Sequence, residues 1–165
     1  MAQAKPTEVV KVLNGKQAFL DELKEVDARS QKDCLTLRFF NGTDKEVHSK
    51  EIHHWRGPPF TYPSLIRPDS GVLIGICRDF PEGVKFGISY VDGPDNSARK
   101  SYIIAADTLT TQVYVKSGPA CATDWNAVEV ELGQSGAESK YDDPILGGKI
   151  YAHIDGNNLR ATFEN

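Results

Sequence analysis

From residue 33 onward, apolar and polar residues alternate along most of the chain. In the segment CLTLRFF, Leu35, Leu37 and Phe39 fall on one face, and Thr36 and Arg38 fall on the other. A period of two residues is typical of a β-strand with one buried face. Similar short runs occupy residues 46–52, 71–77, 84–91, 100–106, 111–116, 127–132, 149–154 and 158–163. Short strands separated by Gly- and Pro-rich turns predict a mainly β fold, an antiparallel β-sandwich of eight or nine strands.

The N-terminal part follows a different period. Within residues 15–30, Leu20, Leu23 and Val26 recur at helical spacing, and Asn14 before them can cap the first turn. We expect one amphipathic helix here, packed on the sheet. Its polar face is not enriched in Lys or Arg as in helices that lie on membranes. A helix that mediates contact with a partner is the alternative interpretation.

The domain organisation follows from these two periods. We expect an N-terminal arm and helix at residues 1–32, followed by a β-sandwich at residues 33–165, as a single structural unit. The total of 165 residues fits one domain. Residues 133–148 form the longest irregular segment and are predicted to be a loop.

Composition and charge exclude several classes of protein. The chain has 39% hydrophobic and 25% charged residues, as globular proteins do, and its net charge is −4. Nucleic-acid binding is not expected, because it requires a basic patch. The N-terminus lacks the apolar core of a secretory signal, and no apolar run approaches the roughly 18 residues of a membrane span. We therefore expect a cytoplasmic protein without a transmembrane segment.

The three cysteines are Cys34, Cys77 and Cys121. Their wide spacing contains no CxxC pair, which argues against a zinc site built on cysteines. We expect free thiols in a reducing compartment. A single disulfide with one spare thiol is the alternative.

Unusual residues accumulate at residues 48–63, HSKEIHHWRGPPFTYP, which contain three of the four histidines. Two imidazoles with Glu51 or Asp44 could bind a divalent metal, but the spacing matches no standard zinc motif, so neither a metal nor a cofactor is expected. The prolines predict a rigid loop at 53–63 that presents aromatic side chains for stacking on a ligand. The predicted ligand-binding residues are His53, His54, Trp55, Arg56, Phe60 and Tyr62.

Catalytic motifs are absent from the sequence, and we expect a protein that is not an enzyme. There is no Gly-x-Ser-x-Gly element and no phosphate-binding glycine loop. Cys77 ends an apolar strand, as a small buried hydrophobic residue would. A small enzyme using His53 or His54 with Glu51 or Cys77 is kept as an alternative.

A resemblance to a known family supports the same interpretation. Its residues are CLTLRFFNGT (34–43), His54-Trp55-Arg56-Gly57, Tyr62-Pro63, Ile66, Gly87-x-x-Tyr90-Val91 and Val113-Tyr114. These resemble the jasmonate-induced proteins of plants, and the outline is similar to that of aegerolysins, small acidic β-sandwich proteins that recognise membrane lipids. The resemblance implies a non-enzymatic, stress- or defence-associated plant protein, and the loop at 53–63 suggests that it is a binding protein. Its expected partner is a membrane lipid or a glycan, and the oligomeric state is left open.

Overall fold

The computed structural model describes residues 7–18, 34–77, 80–94 and 97–165. Of the helix predicted at 15–30, residues 16–18 are helical, Gly15 is a bend, and residues 19–30 lie outside the described residues. In the part of the chain that the structure describes, no helix is long and apolar enough to cross a membrane.

Strands dominate the described residues, which confirms the prediction of a mainly β fold. The strands are β1 (Thr7–Asn14), β2 (Cys34–Gly42), β3 (Val47–Arg56), β4 (Leu65–Ile66), β5 (Ser70–Cys77), β6 (Lys85–Val91), β7 (Lys100–Asp107), β8 (Gln112–Pro119), β9 (Glu138–Asp142), β10 (Lys149–Asp155) and β11 (Asn158–Glu164). One helix, α1 (Trp125–Gly133), lies between β8 and β9.

The strands form two sheets. The six-stranded sheet has the order β1-β5-β2-β11-β10-β9, and the five-stranded sheet has the order β4-β3-β6-β7-β8. The pairing is antiparallel except that β11 runs parallel to β2, so the prediction of a wholly antiparallel arrangement is wrong at this pair. The tight turn between β10 and β11 makes these two strands antiparallel. In that direction β11 runs parallel to β2, its neighbour on the other side.

The two sheets share one hydrophobic core. Leu35, Leu37 and Phe39 of β2 are fully buried in the same cluster as Phe86 and Ile88 of β6. The alternation in CLTLRFF therefore places Leu35, Leu37 and Phe39 inward, as predicted, whereas Phe40 packs with Leu13 and Leu73 in a separate cluster. We call the core-facing side of each sheet its inner face and the opposite side its outer face.

The segment predicted as a strand at 127–132 is instead part of α1. Asp124 caps this helix, since its carboxylate accepts a hydrogen bond from the Ala127 N–H at 3.2 Å. Val128 and Leu132, four residues apart, are buried against the outer face of the five-stranded sheet. A strict alternation of Val and Glu fits a strand, but the cap and the spacing of four residues favour the helix.

The segment predicted as a loop at 133–148 contains β9. This strand pairs with β10 at the edge of the six-stranded sheet. The Ser139 hydroxyl accepts a hydrogen bond from the Val115 N–H at 3.0 Å, which ties β9 to β8 of the other sheet. The prediction failed here because the segment has few apolar residues, and strand pairing orders it instead.

Two of the three cysteines form a disulfide, so the prediction of free thiols is wrong for Cys34 and Cys77. These residues lie directly opposite each other where β2 pairs with β5. Cys121 is free and exposed. Strand register brought the pair together across a sequence separation of 43 residues, and that register is not visible in the cysteine spacing.

Candidate functional site

The predicted recognition loop at 53–63 is partly a strand. His53 to Arg56 belong to β3, and the turn begins at Gly57, where φ is +92°. A Cβ atom at Gly57 would lie 3.0 Å from the Gly83 carbonyl oxygen, so glycine is required both by the backbone angle and by the close approach.

Alternation along β3 sends neighbouring side chains to opposite faces. The ring of His54 lies 5.1 Å from that of Phe60, which in turn lies 4.8 Å from Phe86 in the core. Phe60 is only 7% exposed, so it packs inside the protein and offers little surface to a ligand. His53 and Trp55 instead lie on the outer face, with the cluster that packs beneath α1.

Arg56 and Tyr62 are also occupied by the fold. Arg56 donates hydrogen bonds to the Glu82 carbonyl oxygen at 2.8 Å and to the carboxylate of Asp107, which is 4% exposed. The guanidinium therefore neutralises a buried carboxylate. Tyr62 is half-buried and packs against the main core. Of the six predicted residues, only His53 and Trp55 share a solvent-facing cluster.

A residue outside the predicted set completes this cluster. The ring of Trp125, at the start of α1, lies 5.6 Å from His53 in a stacked arrangement and 6.0 Å from Trp55 at 76°. The rings of His53 and Trp55 are 4.9 Å apart. We call His53, Trp55 and Trp125 the aromatic cluster. Trp125 fits because β6 has Gly87 beneath it, where a Cβ atom would lie 2.3 Å from the indole ring.

One cation borders the aromatic cluster. The ammonium of Lys85 lies 5.7 Å from the centre of the Trp55 ring and 2.7 Å from the Glu129 carboxylate. This ion pair links β6 to α1. The arrangement presents two indole rings at a steep angle, an imidazole and a positive charge on one surface. Because Glu129 pairs with the ammonium, this surface is suited to stacking on apolar or cationic groups.

Sequence reasoning missed Trp125 and Lys85 because both lie far from the histidine-rich stretch. A usable signal was present, since Asp124 directly precedes Trp125 and is a favoured helix cap. Treating residues 125–133 as a helix would have drawn attention to its first residue.

A groove opens beside α1 on the same sheet face. Its volume is about 280 Å³, and its walls include Ile103, Tyr114, Lys116 and Glu131. Burial raises the pKa of Tyr114, and the neighbouring Glu131 charge raises it further. The phenol is therefore a neutral hydrogen-bonding group at physiological pH.

The histidines considered for metal ligation and the cysteine considered as a nucleophile lie on different sheets. Among the described residues, no three His, Cys, Asp or Glu side chains meet as a metal site requires. His53 and His54 contact different ring clusters. Cys77, considered as a nucleophile, has its sulfur in the disulfide with Cys34.

The buried side of β3 predicts a pH effect on stability. Burial lowers the pKa of His54 below 6.5, and the charge of His53 lowers it further. Below about pH 6.5 the unfolded chain therefore binds more protons than the folded protein does. The stability that depends on a neutral His54 is complete above about pH 6.5 and is lost as the pH falls below that value. We expect the free energy of unfolding, measured in urea, to decrease from pH 7.5 to pH 5.5. His54→Gln should flatten this decrease, whereas His153→Gln on the other sheet should leave the decrease unchanged. If the unfolding free energy of His54→Gln falls with pH as steeply as that of the parent protein, His54 is not the titrating group.

Comparison with known proteins places the fold but not the family. No family model matches the chain, and no curated protein shows significant similarity to it. Among solved structures, it is similar to one described as the lipid-binding protein Nakanori, with a TM-score of 0.64 and 14% identity over 90% of this chain and 79% of that chain. The two chains share a fold. A structure of IP-1A from Alcaligenes faecalis aligns with a TM-score of 0.38 and 12% identity over 86% of this chain and 96% of that chain, too weakly to support an argument. The resemblance to jasmonate-induced proteins stays a prediction.

Proposed function

We propose that this protein is a non-enzymatic binding protein that recognises a lipid headgroup through the aromatic cluster. The observation that carries the proposal is the meeting of His53, Trp55 and Trp125, all half-buried, with ring centres 4.9 to 6.0 Å apart. Rings that only needed to fill a core would be enclosed. These rings keep part of their surface in solvent on the outer face of the sheet.

The chemistry of the cluster suits the boundary between lipid and water. Indole rings combine a large apolar surface with a polar N–H and favour this boundary. Ring faces also attract quaternary ammonium groups, which many headgroups carry. Lys85 adds a cation beside Trp55, held in place by Glu129. Arg56, His54, Phe60 and Tyr62 then act indirectly, by fixing β3 and the turn that follows it.

The shared fold with a protein described as lipid-binding supports a lipid in preference to a glycan. A glycan could stack on the same rings, so it is included as an outcome of the test. A stress- or defence-associated role in plants rests on the sequence resemblance alone. The Cys34–Cys77 disulfide favours an oxidising compartment over the cytoplasmic location expected from the sequence.

Trp55→Ala tests the proposal. We expect it to weaken binding to phosphatidylcholine vesicles by at least about tenfold, because truncating an aromatic hot-spot residue costs about 2 kcal/mol or more. Binding is measured by vesicle sedimentation, and folding by circular dichroism. The matched control is Tyr151→Ala, which removes a half-buried tyrosine from the outer face of the other sheet and should leave binding unchanged.

Two results would count against the proposal. A Trp55→Ala protein that stays folded and binds vesicles as well as the parent protein removes the aromatic cluster from recognition. Binding of the parent protein to a glycan array with no binding to vesicles assigns the cluster to a sugar. If Trp55→Ala fails to fold, Trp55→Phe serves as the milder variant and should show a smaller loss in the same direction.

A further inference from the structure

A β-bulge interrupts the pairing of β3 with β6. Ser49 pairs with Tyr90 and Glu51 pairs with Ser89, so Lys50 is an extra residue without a partner on β6. The Glu51 N–H donates instead to the Ser89 hydroxyl at 3.1 Å. A bulge of this kind redirects the side chain of the extra residue, and bulges are frequent beside functional sites.

Lys50 lines a groove that is separate from the aromatic cluster. The groove has a volume of about 350 Å³, and its polar walls are His48, Ser49, Lys50 and Ser64. Small and apolar residues from the β6–β7 connection and from the segment after β8 close the other side. The Ser49 N–H donates to the Ser64 carbonyl oxygen at 2.9 Å, which holds the two polar walls together. We call this cavity the bulge groove.

The polar lining of the bulge groove combines one lysine with a histidine and two serines. Lys50 is exposed and has neither an ion pair nor a hydrogen bond among the described residues. Ser49 and Ser64 line the same groove, and each hydroxyl can donate one hydrogen bond. The Nε2 atom of His48 lies 3.5 Å from the Glu46 carboxylate. A lysine ammonium forms charge-assisted hydrogen bonds with phosphate oxygens, and hydroxyl donors can add further hydrogen bonds.

We propose that the bulge groove binds a phosphate group, with Lys50 as its principal cation and Ser49 and Ser64 as hydrogen-bond donors. The volume leaves room for a substituent on the phosphate. Lys50 and Trp55 are five residues apart on one strand, a span of about 16 Å at the rise of a β-strand. The bulge groove is therefore a second site. Phosphate binding there does not depend on lipid recognition by the aromatic cluster. The phosphate can belong to a lipid headgroup or be free in solution.

Titration with inorganic phosphate tests the donor set directly. In ¹⁵N-labelled full-length protein, we expect the amide signals of Ser49, Lys50, Glu51 and Ser64 to shift saturably. Lys50→Met should weaken this binding by about tenfold or more, the usual effect of losing a charge-assisted contact. Lys50→Arg should retain most of the binding, because guanidinium also binds phosphate. The matched control is Lys140→Met, an exposed lysine on β9 that carries the same change of charge.

Vesicle binding separates the two sources of the phosphate. If the phosphate belongs to a lipid, Lys50→Met also weakens binding to phosphatidylcholine vesicles, and inorganic phosphate competes with them. If the phosphate is free, the titration depends on Lys50 while vesicle binding does not. The proposal is overturned if phosphate shifts none of these amides, or if Lys50→Met and Lys140→Met lose equal affinity, since general surface charge then explains the binding.

Discussion

Replacing Cys34 and Cys77 together by alanine should lower the free energy of unfolding by about 3–4 kcal/mol. The disulfide closes a loop with a sequence separation of 43 residues, so it removes much conformational freedom from the unfolded chain. The chain-entropy relation gives roughly 4 kcal/mol for a loop of this size, near the top of the usual range. Because native domains are stable by about 5–15 kcal/mol, this loss is a large part of the total.

Urea unfolding of the oxidised parent protein and the double variant measures this difference. Cys121→Ala is the matched control, because Cys121 is free and exposed, and it should change the stability by less than about 0.5 kcal/mol. A thiol titration of the unfolded, unreduced chain should find one reactive group. Three reactive thiols, or equal stability of the parent and the double variant, would show that the bond does not form.

Gly87→Ala should displace Trp125 and disrupt the aromatic cluster. The new methyl group would lie 2.3 Å from the indole ring, so the ring has to move. Overpacking of this kind costs about 1–3 kcal/mol. We expect a shift in tryptophan fluorescence and a loss of vesicle binding comparable with that of Trp55→Ala. The substitution changes no charge and no hydrogen-bonding side chain.

Gly75→Ala is the matched control for this substitution. Gly75 lies within β5 and nothing would lie within 4 Å of its added Cβ atom, so its spectrum, stability and binding should stay close to those of the parent protein. If the two variants behave alike, Trp125 does not rest on Gly87, and the geometry of the cluster is wrong. If fluorescence shifts while vesicle binding persists, Trp125 packs α1 on the sheet without contributing to recognition.

Strand-level features were predictable because they depend on neighbouring residues. The run at 71–77 corresponds to β5 at Ser70–Cys77, and the run at 84–91 corresponds to β6 at Lys85–Val91. The turn Asp155-Gly156-Asn157 joins β10 to β11, as its composition indicates. In contrast, the alternation at 127–132 is typical of a strand, but the Asp124 cap and packing against the five-stranded sheet make this segment a helix.

The candidate site was predictable only in part, for the same physical reason. Trp55 and His53 stood out as unusual residues in a short stretch, and they do share a surface. Trp125 and Lys85 reach that surface through pairings and packing between distant segments. Lys50 depends on a bulge, a shift in register between two strands that no residue pattern in β3 reveals. Phe60 lies in the same stretch of sequence as the partly exposed Trp55, but its ring packs against Phe86 in the core.

The position of β11 has a consequence for the order of assembly during synthesis. This strand, residues 158–164, lies between β2 and β10 in the middle of the six-stranded sheet. The ribosome makes β2 more than a hundred residues before β11. One edge of β2 therefore has no pairing strand until β11 has been synthesised. Unpaired edges of this kind invite association with other chains. Nascent chains that stop before residue 158 should therefore depend on chaperones.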